Sequence, residues 1–401
     1  MNKGIAITGM GIISSIGNNV AENHAALIKG KKGISKISKI DTLHKDAIMV
    51  GEIGFTNQEL EKQLGLSSDN NYSRTALLGA IAAKQAIADA NIADINAYKT
   101  GLISATSVGG MDMTEKYYYD YLENSTNRKY IEAHHAGDST QKIAEQLGLK
   151  KSLVTTISTA CSSAANSIML GARMIKSGKL DRVIVGGTDC LSKFTINGFK
   201  TLMILSDTYN SPFDENRKGL NLGESAAFLV LESDELVQAN NKKVLAYLKG
   251  YGNANDAYHQ TASSENGDGA TLAMKKALNV AGIDSKKIDY VNAHGTATAN
   301  NDLSEGRALM RVFGEYQVPD FSSTKAYTGH TLAAAGGIEA VYSILALQHN
   351  VIYPNLNFKT PMKEFGLKPQ TQLKEKELEN ILSNSLGFGG NCSTLIFSKN
   401  A

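Results

Sequence analysis

The sequence predicts an α/β protein built as two halves of similar plan, and three observations predict it. Short apolar runs alternate with longer stretches of helical periodicity. The alternation recurs on both sides of one polar segment, residues 238–243. Glycines, 37 in all, gather where apolar runs give way to helices, and such junctions are where α/β proteins place their chemistry. At 401 residues, 42% hydrophobic and 20% charged, the chain suits two packed units rather than one simple core, and a globular state rather than disorder.

The elements follow in order. Residues 4–8 are a short Ile-rich run, a buried first strand. Residues 74–90 carry apolar side chains at helical spacing, and 101–105 read as a strand. Residues 161–177 read as a helix with Ala165, Ile168, Ala172 and Ile175 on one stripe and Arg173 and Lys176 off it. Strands at 182–186 and 226–232 complete the first half. Past the polar joint come a strand at 244–251, a helix at 269–282 and a strand at 288–292. Helices at 302–313 and 331–347 and a strand at 394–398 follow. The division is therefore placed at 1–241 and 242–401.

Bulk properties exclude several classes. A net charge of +2 leaves no nucleic-acid footprint. The three cysteines, Cys161, Cys190 and Cys392, form neither a disulfide framework nor a metal-binding spacing, so reduced thiols in the cytoplasm are expected. The apolar start is broken by Gly9, Gly11 and Gly17 and lacks a cleavage pattern, so it reads as a strand rather than a signal peptide. No run approaches the roughly 18 apolar residues of a membrane span. Gly9, Gly11 and Ser14 only half-match a dinucleotide fingerprint: the third glycine and the following acidic residue are both missing.

Four segments carry residues able to do chemistry. Cys161 lies where a β-branched run ends and a helix begins. Free backbone N–H groups and the helix dipole there would favour a thiolate and hold an oxyanion. The plain alternative is a buried thiol packing as a small hydrophobe. His294 follows the strand at 288–292 directly, at the edge where parallel sheets bind ligands, with Gly295, Thr296 and Thr298 beside it. Taken alone, it reads equally as a structural histidine. His330 leads into a helix of small residues, and Lys325 precedes it. A helix N-terminus lowers an imidazole's pKa and keeps it a neutral N–H donor. Last, Gly387, Phe388, Gly389 and Gly390 form a turn whose backbone amide can reach a substrate. Together the segments make a Cys–His–His set at strand–helix junctions.

These segments resemble the β-ketoacyl-acyl-carrier-protein synthase family, of the elongating type. The resemblance runs from residues 6–14 to 383–391. It is most specific at residues 159–163, at 292–298 with 301–305 downstream, and at 325–330. Residues 211–217, 223–224 and 256–261 match as well. The resemblance implies a thiolase-like fold, two pseudo-symmetric halves in a five-layer αβαβα sandwich. It implies that Cys161 carries an acyl group and that His294 and His330 bind a malonyl thioester, support loss of carbon dioxide and stabilise the enolate. Lys325 would orient the site with Glu305 as its acidic partner. Amides of Cys161 and Phe388 would form the oxyanion hole, and Phe388 would gate the acyl pocket. Thr296 and Thr298 would touch the phosphopantetheine arm, and Gly389 would join them in binding substrate. Asn292, Glu339, Ser383 and Asn384 match positions that hold a structural monovalent cation in some members.

The resemblance also implies that no cofactor is required, that the substrate rides on an acyl carrier protein, and that the chain forms a homodimer or pairs with a related chain-length-factor subunit. Departures lie at Arg217–Leu220, at Ala299 and Asn300, at Cys392 and across 198–206. They point to a specialised synthase, of a polyene or pigment pathway for instance. Tyr117, Tyr118, Tyr119 and Tyr121 read either as a pocket cap or as a half-exposed interface helix. A basic docking patch is expected around Arg128, Lys129 and Lys200. Two other readings compete. A silent chain-length factor would lack the cysteine that stands at 161. A coenzyme-A thiolase would use a second cysteine, and Cys392 lies within a glycine turn that fits the carrier-protein class instead.

Overall fold

The computed structural model describes residues 4–124, 127–150, 152–315 and 317–401. Ten strands form one mixed sheet: β1 (Ile5–Ser14), β2 (Thr100–Ala105), β3 (Leu153–Ile157), β4 (Arg182–Asp189), β5 (Ser225–Glu232), β6 (Ala246–Asn255), β7 (Tyr290–Asn292), β8 (Asp320–Ser322), β9 (Asn380–Leu386) and β10 (Asn391–Ser398). Their spatial order is β8-β7-β9-β10-β6-β1-β5-β4-β2-β3. Each half thus repeats one order, third strand, second, fourth, fifth, first, counted along its own chain. The directions repeat too. The second strand is parallel to the third and fourth, while the fifth runs antiparallel to both the fourth and the first. The halves meet where β1 pairs with β6, Ile5 opposite Leu248.

Seven helices matter for the site: α1 (Arg74–Asp89), α2 (Met111–Glu123), α3 (Ser163–Lys176), α4 (Lys193–Thr201), α5 (Asp268–Ala281), α6 (Ala299–Phe313) and α7 (Ala335–His349). α1 packs on the outer face of the first half, α5 on that of the second, and α6 lies against α5. Between the two sheet halves lie α3 and α7, which touch each other and strands of both. The result is the αβαβα sandwich.

Composition explains why these two helices go inside. α7 buries every residue from Ala335 to Leu347, and a helix apolar all round belongs in a core. α3 buries Ala165, Ile168, Ala172 and Ile175 and exposes Arg173 and Lys176. Small residues bring the helices together. A Cβ on Gly336 would lie 2.9 Å from the Ala165 nitrogen, closer than packed atoms tolerate, so a larger residue there would force the helices apart.

Three strands escape a pattern-based reading: β3, β8 and β9. β9 runs Ile381, Leu382, Ser383, Asn384, Ser385, so three consecutive polar residues break any apolar pattern, yet every residue in it is buried, and Asn384 is satisfied inside by Glu305 and Thr394. The helix expected over 331–347 begins later. A 3-10 turn at Leu332–Ala334 intervenes before α7.

Candidate active site

The third strand of each half leads into a central helix, and these two junctions meet. β3 runs to Ile157, and α3 starts at Ser163 with Ser162 as its cap. Cys161 sits in the turn between, 5% exposed. The turn is tight. Ala160 has φ of 51°, a left-handed conformation costing an alanine about 1–2 kcal/mol. It is held by Ser163, whose Oγ donates to the Ala160 carbonyl and accepts from the Thr159 amide at 2.8 Å. The helix therefore begins two residues after the cysteine, not at it. Burial pushes the thiol up to about 11, with Lys325 and the Phe388 amide, which donates to the sulfur, pulling the other way. Desolvation outweighs the thiolate-favouring environment expected of a helix start.

His294 follows β7, and its backbone is clamped. Glu305, from α6, accepts the His294 amide at 2.9 Å, the Gly295 amide at 2.8 Å and the Asn384 carboxamide at 3.1 Å. Lys325 Nζ donates to the His294 carbonyl at 2.6 Å, to Glu339 Oε1 at 2.5 Å and towards His294 Nδ1 at 3.1 Å. The lysine's acidic partner is thus Glu339 of α7, and the expected Lys325–Glu305 pairing is corrected. Glu305 is a backbone clamp, and only tertiary packing decides which of two glutamates reaches the lysine. Burial raises Glu339 to about 7 against the opposing pull of Lys325.

His330 is held as firmly. Its amide donates to the Asn221 carbonyl at 2.7 Å and its carbonyl accepts from Gly223 at 2.9 Å. The Leu332 amide donates to His330 Nδ1 at 3.1 Å. An imidazole accepting at Nδ1 carries its proton on Nε2, so both histidines present an Nε2–H. Their ring centroids lie 5.3 Å apart, at 85°. Both pKa values fall well below the ordinary range, through burial first and Lys325 second. The neutral imidazole expected at His330 is present, but its cause is burial, since α7 starts five residues later.

Cys161, His294 and His330 line one cavity of about 220 Å³, together with Thr296, Thr298, Phe388 and Gly389. Thr296 and Thr298 hydroxyls lie 2.9 Å apart. Gly389 lines the wall, but its amide donates to the Gln260 carbonyl and its carbonyl accepts from Asn255. Of this turn, the Phe388 amide is the one aimed at the sulfur. A second, largely apolar cavity of about 320 Å³ shares Cys161, Phe199 and Phe388 and is also lined by Val108, Phe194 and Leu332. The Phe199 and Phe388 rings stack at 5.8 Å between the two. Phe199 was not singled out from sequence, although it lies within the divergent stretch 198–206.

Two expectations fall elsewhere. The tyrosines of α2 border neither cavity: Tyr117 stacks on Tyr130 at 4.1 Å, and Tyr118 and Tyr119 are exposed. In the basic patch, Arg128 and Lys129 are paired with Glu132 and Asp69. At the expected cation position, Asn292 Oδ1 and Glu339 Oε2 are buried without partners among the described residues, so two oxygens there fit a cation. Asn384 is spent on Glu305 and Thr394. No helix is long and apolar enough to cross a membrane among the described residues.

The chain is similar to known proteins along almost its whole length. The β-ketoacyl synthase N-terminal domain matches residues 2–236 and the C-terminal domain residues 245–359. The 3-oxoacyl-[acyl-carrier-protein] synthase 2 of Staphylococcus aureus (strain COL) is 35% identical over 412 residues, covering 99% of each chain. That of Coxiella burnetii (strain RSA 493 / Nine Mile phase I) is 34% identical over 409 residues, covering 98% of each. A solved ishigamide ketosynthase/chain length factor superposes with a TM-score of 0.93 at 29% identity, covering 100% of both chains.

Proposed function

The chain belongs to the β-ketoacyl synthase family, and on that premise we propose that it joins an acyl group held on Cys161 to a malonyl unit on acyl carrier protein, with loss of carbon dioxide. The observation that carries this reading is one cavity holding a buried thiol and two neutral imidazoles, each with its proton fixed on Nε2.

The cycle balances in two half-reactions. In the first, the Cys161 sulfur attacks the carrier-bound thioester, the carrier thiol departs with the proton, and an acyl thioester remains on Cys161. The oxyanion of this step rests on the Cys161 and Phe388 amides. In the second, a malonyl carrier docks with its thioester oxygen between His294 and His330. Their Nε2–H groups stabilise the enolate left by carbon dioxide. The enolate carbon attacks the Cys161 thioester, the new carbon–carbon bond expels the sulfur, and the sulfur takes up a proton. Neutral donors suit this step, because an imidazolium would protonate the enolate. Lys325 and Glu339 hold His294 in its tautomer, while Thr296, Thr298 and Gly389 line the approach of the carrier's arm.

The acyl chain occupies the apolar cavity behind Phe388. The residues that depart from the family pattern at 198–206 include Phe199 on its wall, which supports selection of a particular chain. A cation would be held by Asn292 and Glu339, with Ser383 alongside, and would supply fixed positive charge near the site. The chain is read as a dimer, with itself or with a related subunit. The outer edge of β3, unpaired among the described residues, supports this. A silent subunit is not favoured, because Cys161 opens into the cavity.

Intact-mass spectrometry tests the proposal. Wild type mixed with a panel of acyl carrier proteins gains an acyl mass, and Cys161→Ala does not. No adduct from any donor would overturn the reading of an autonomous synthase.

A further inference from the structure

One buried carboxylate joins both cavities without lining either. Asp189 ends β4, and among the described residues no cation pairs with it. It is satisfied instead by two loops that approach from different sides. From the loop after β2, the Thr106 hydroxyl donates at 2.5 Å, the Ser107 hydroxyl at 2.6 Å, and the Ser107 and Val108 amides at 3.1 and 3.3 Å. From the turn after His330, the Ala333 amide donates to Oδ2 at 2.9 Å. Burial in such a place is costly to an ion unless its lone pairs are filled, and here they are.

The two loops have separate duties. Ser107 and Val108 border the apolar cavity. Leu332, on the same cavity wall, gives its amide to His330 Nδ1. Leu332 holds φ of 55°, a strained left-handed conformation that persists only where its surroundings enforce it. The next residue, Ala333, donates its amide to Asp189.

We propose that Asp189 is a positioning residue, bracing the acyl-pocket wall to the turn that fixes the His330 tautomer. This rests on the condensing reading above and deepens it. A chain that presses on Val108 is felt, through one carboxylate, by the imidazole that receives the malonyl oxygen. The brace keeps His330 from taking the Nδ1–H form, in which Nε2 would be an acceptor and repel the enolate.

The test combines a substrate-free readout with a kinetic one. In Asp189→Asn, the carboxamide NH₂ faces amides and hydroxyls that need an acceptor, so one loop is released. Nitrogen-15 spectra of the imidazoles, with His330→Ala for assignment, then show His330 as a mixture of tautomers where wild type shows Nε2–H alone. Condensation falls about 10- to 100-fold, as misplaced groups in a site do. Acylation of Cys161 stays near wild type, and the product chain-length profile shifts. Ser107→Ala, which removes one donor and leaves both backbones in place, shows the same changes in smaller measure and serves if Asp189→Asn fails to fold. A single Nε2–H tautomer in the folded variant would overturn the brace, as would wild-type condensation with an unchanged profile. Wild type that takes up no acyl mass would overturn the condensing reading, while the tautomer spectra would still decide the role of Asp189.

Discussion

The two halves of the sheet share a strand order and a set of directions, yet the junctions after their third strands do different things. In the first half, residues 158–162 turn from β3 into α3 at once and leave a sulfur in a buried corner. In the second, residues 323–334 make a longer path from β8 to α7, which adds Lys325, His330 and a left-handed turn at Leu332. The shorter junction holds one reactive atom next to an apolar cavity. The longer one holds a hydrogen-bonded array of fixed donors. A duplicated framework can thus divide a reaction, with one half carrying the acyl chain and the other stabilising charge. What differs is loop length and side-chain polarity rather than the strands.

That division makes predictions, the largest of which concerns the longer junction. Lys325→Met leaves Glu339 buried without its cation. Both side chains are almost fully buried, 2% and 1% exposed, and breaking such a pair costs about 3–5 kcal/mol. Chemical denaturation should show the loss, and a double variant Lys325→Met, Glu339→Leu should recover much of it. Unchanged stability in the single variant would mean that the pair is not formed. Next, His294→Ala and His330→Ala each remove one donor from the developing enolate. Each should slow malonyl decarboxylation on the order of 10²- to 10³-fold while Cys161 acylation, followed by mass, persists.

The shorter junction gives a pH signature. With the thiol pushed up to about 11 by burial, the thiolate fraction grows roughly tenfold per pH unit below that value. Iodoacetamide alkylation of Cys161 should still be climbing at pH 9. A plateau reached below pH 8 would mean that the α3 terminus and Lys325 outweigh burial. The native histidines take up protons only well below pH 6.5, since their folded values are depressed. They bear protons in the unfolded chain before they do in the native one, so their contribution to stability is lost as pH drops below the unfolded value. The smallest effect is at Phe199. Phe199→Ala removes a ring stacked on Phe388, worth about 0.5–1.5 kcal/mol beyond its area, and should broaden the acyl chains accepted, read by the masses of Cys161 adducts.

Sequence made part of this legible. The alternation of strand and helix, the buried stripe of α3 and the placing of Cys161, His294 and His330 at junctions follow from local pattern. Those signals span a few residues, and periodicity reports them. The partner of Lys325 could not be read locally, because Glu305 and Glu339 lie on different helices and packing alone selects between them. Asp189 is similar: it ends an apolar strand in an ordinary way, and its importance comes from two loops remote in sequence. β9 was hidden because Ser383, Asn384 and Ser385 are consecutive, polar and buried, which inverts the usual rule that polar residues mark solvent. The thiol's raised pKa was masked by the neighbouring helix start, since dipole and burial act in opposite directions and only burial depends on the whole fold.

The most direct test of the division of labour is carbon dioxide release from malonyl carrier protein by Cys161→Ala, with no acyl donor present. Decarboxylation should continue in this variant, because His294, His330 and their braces are intact, while β-ketoacyl product is abolished. Loss of decarboxylation together with condensation, in a variant that remains folded, would contradict it and make the sulfur part of the charge-stabilising machinery.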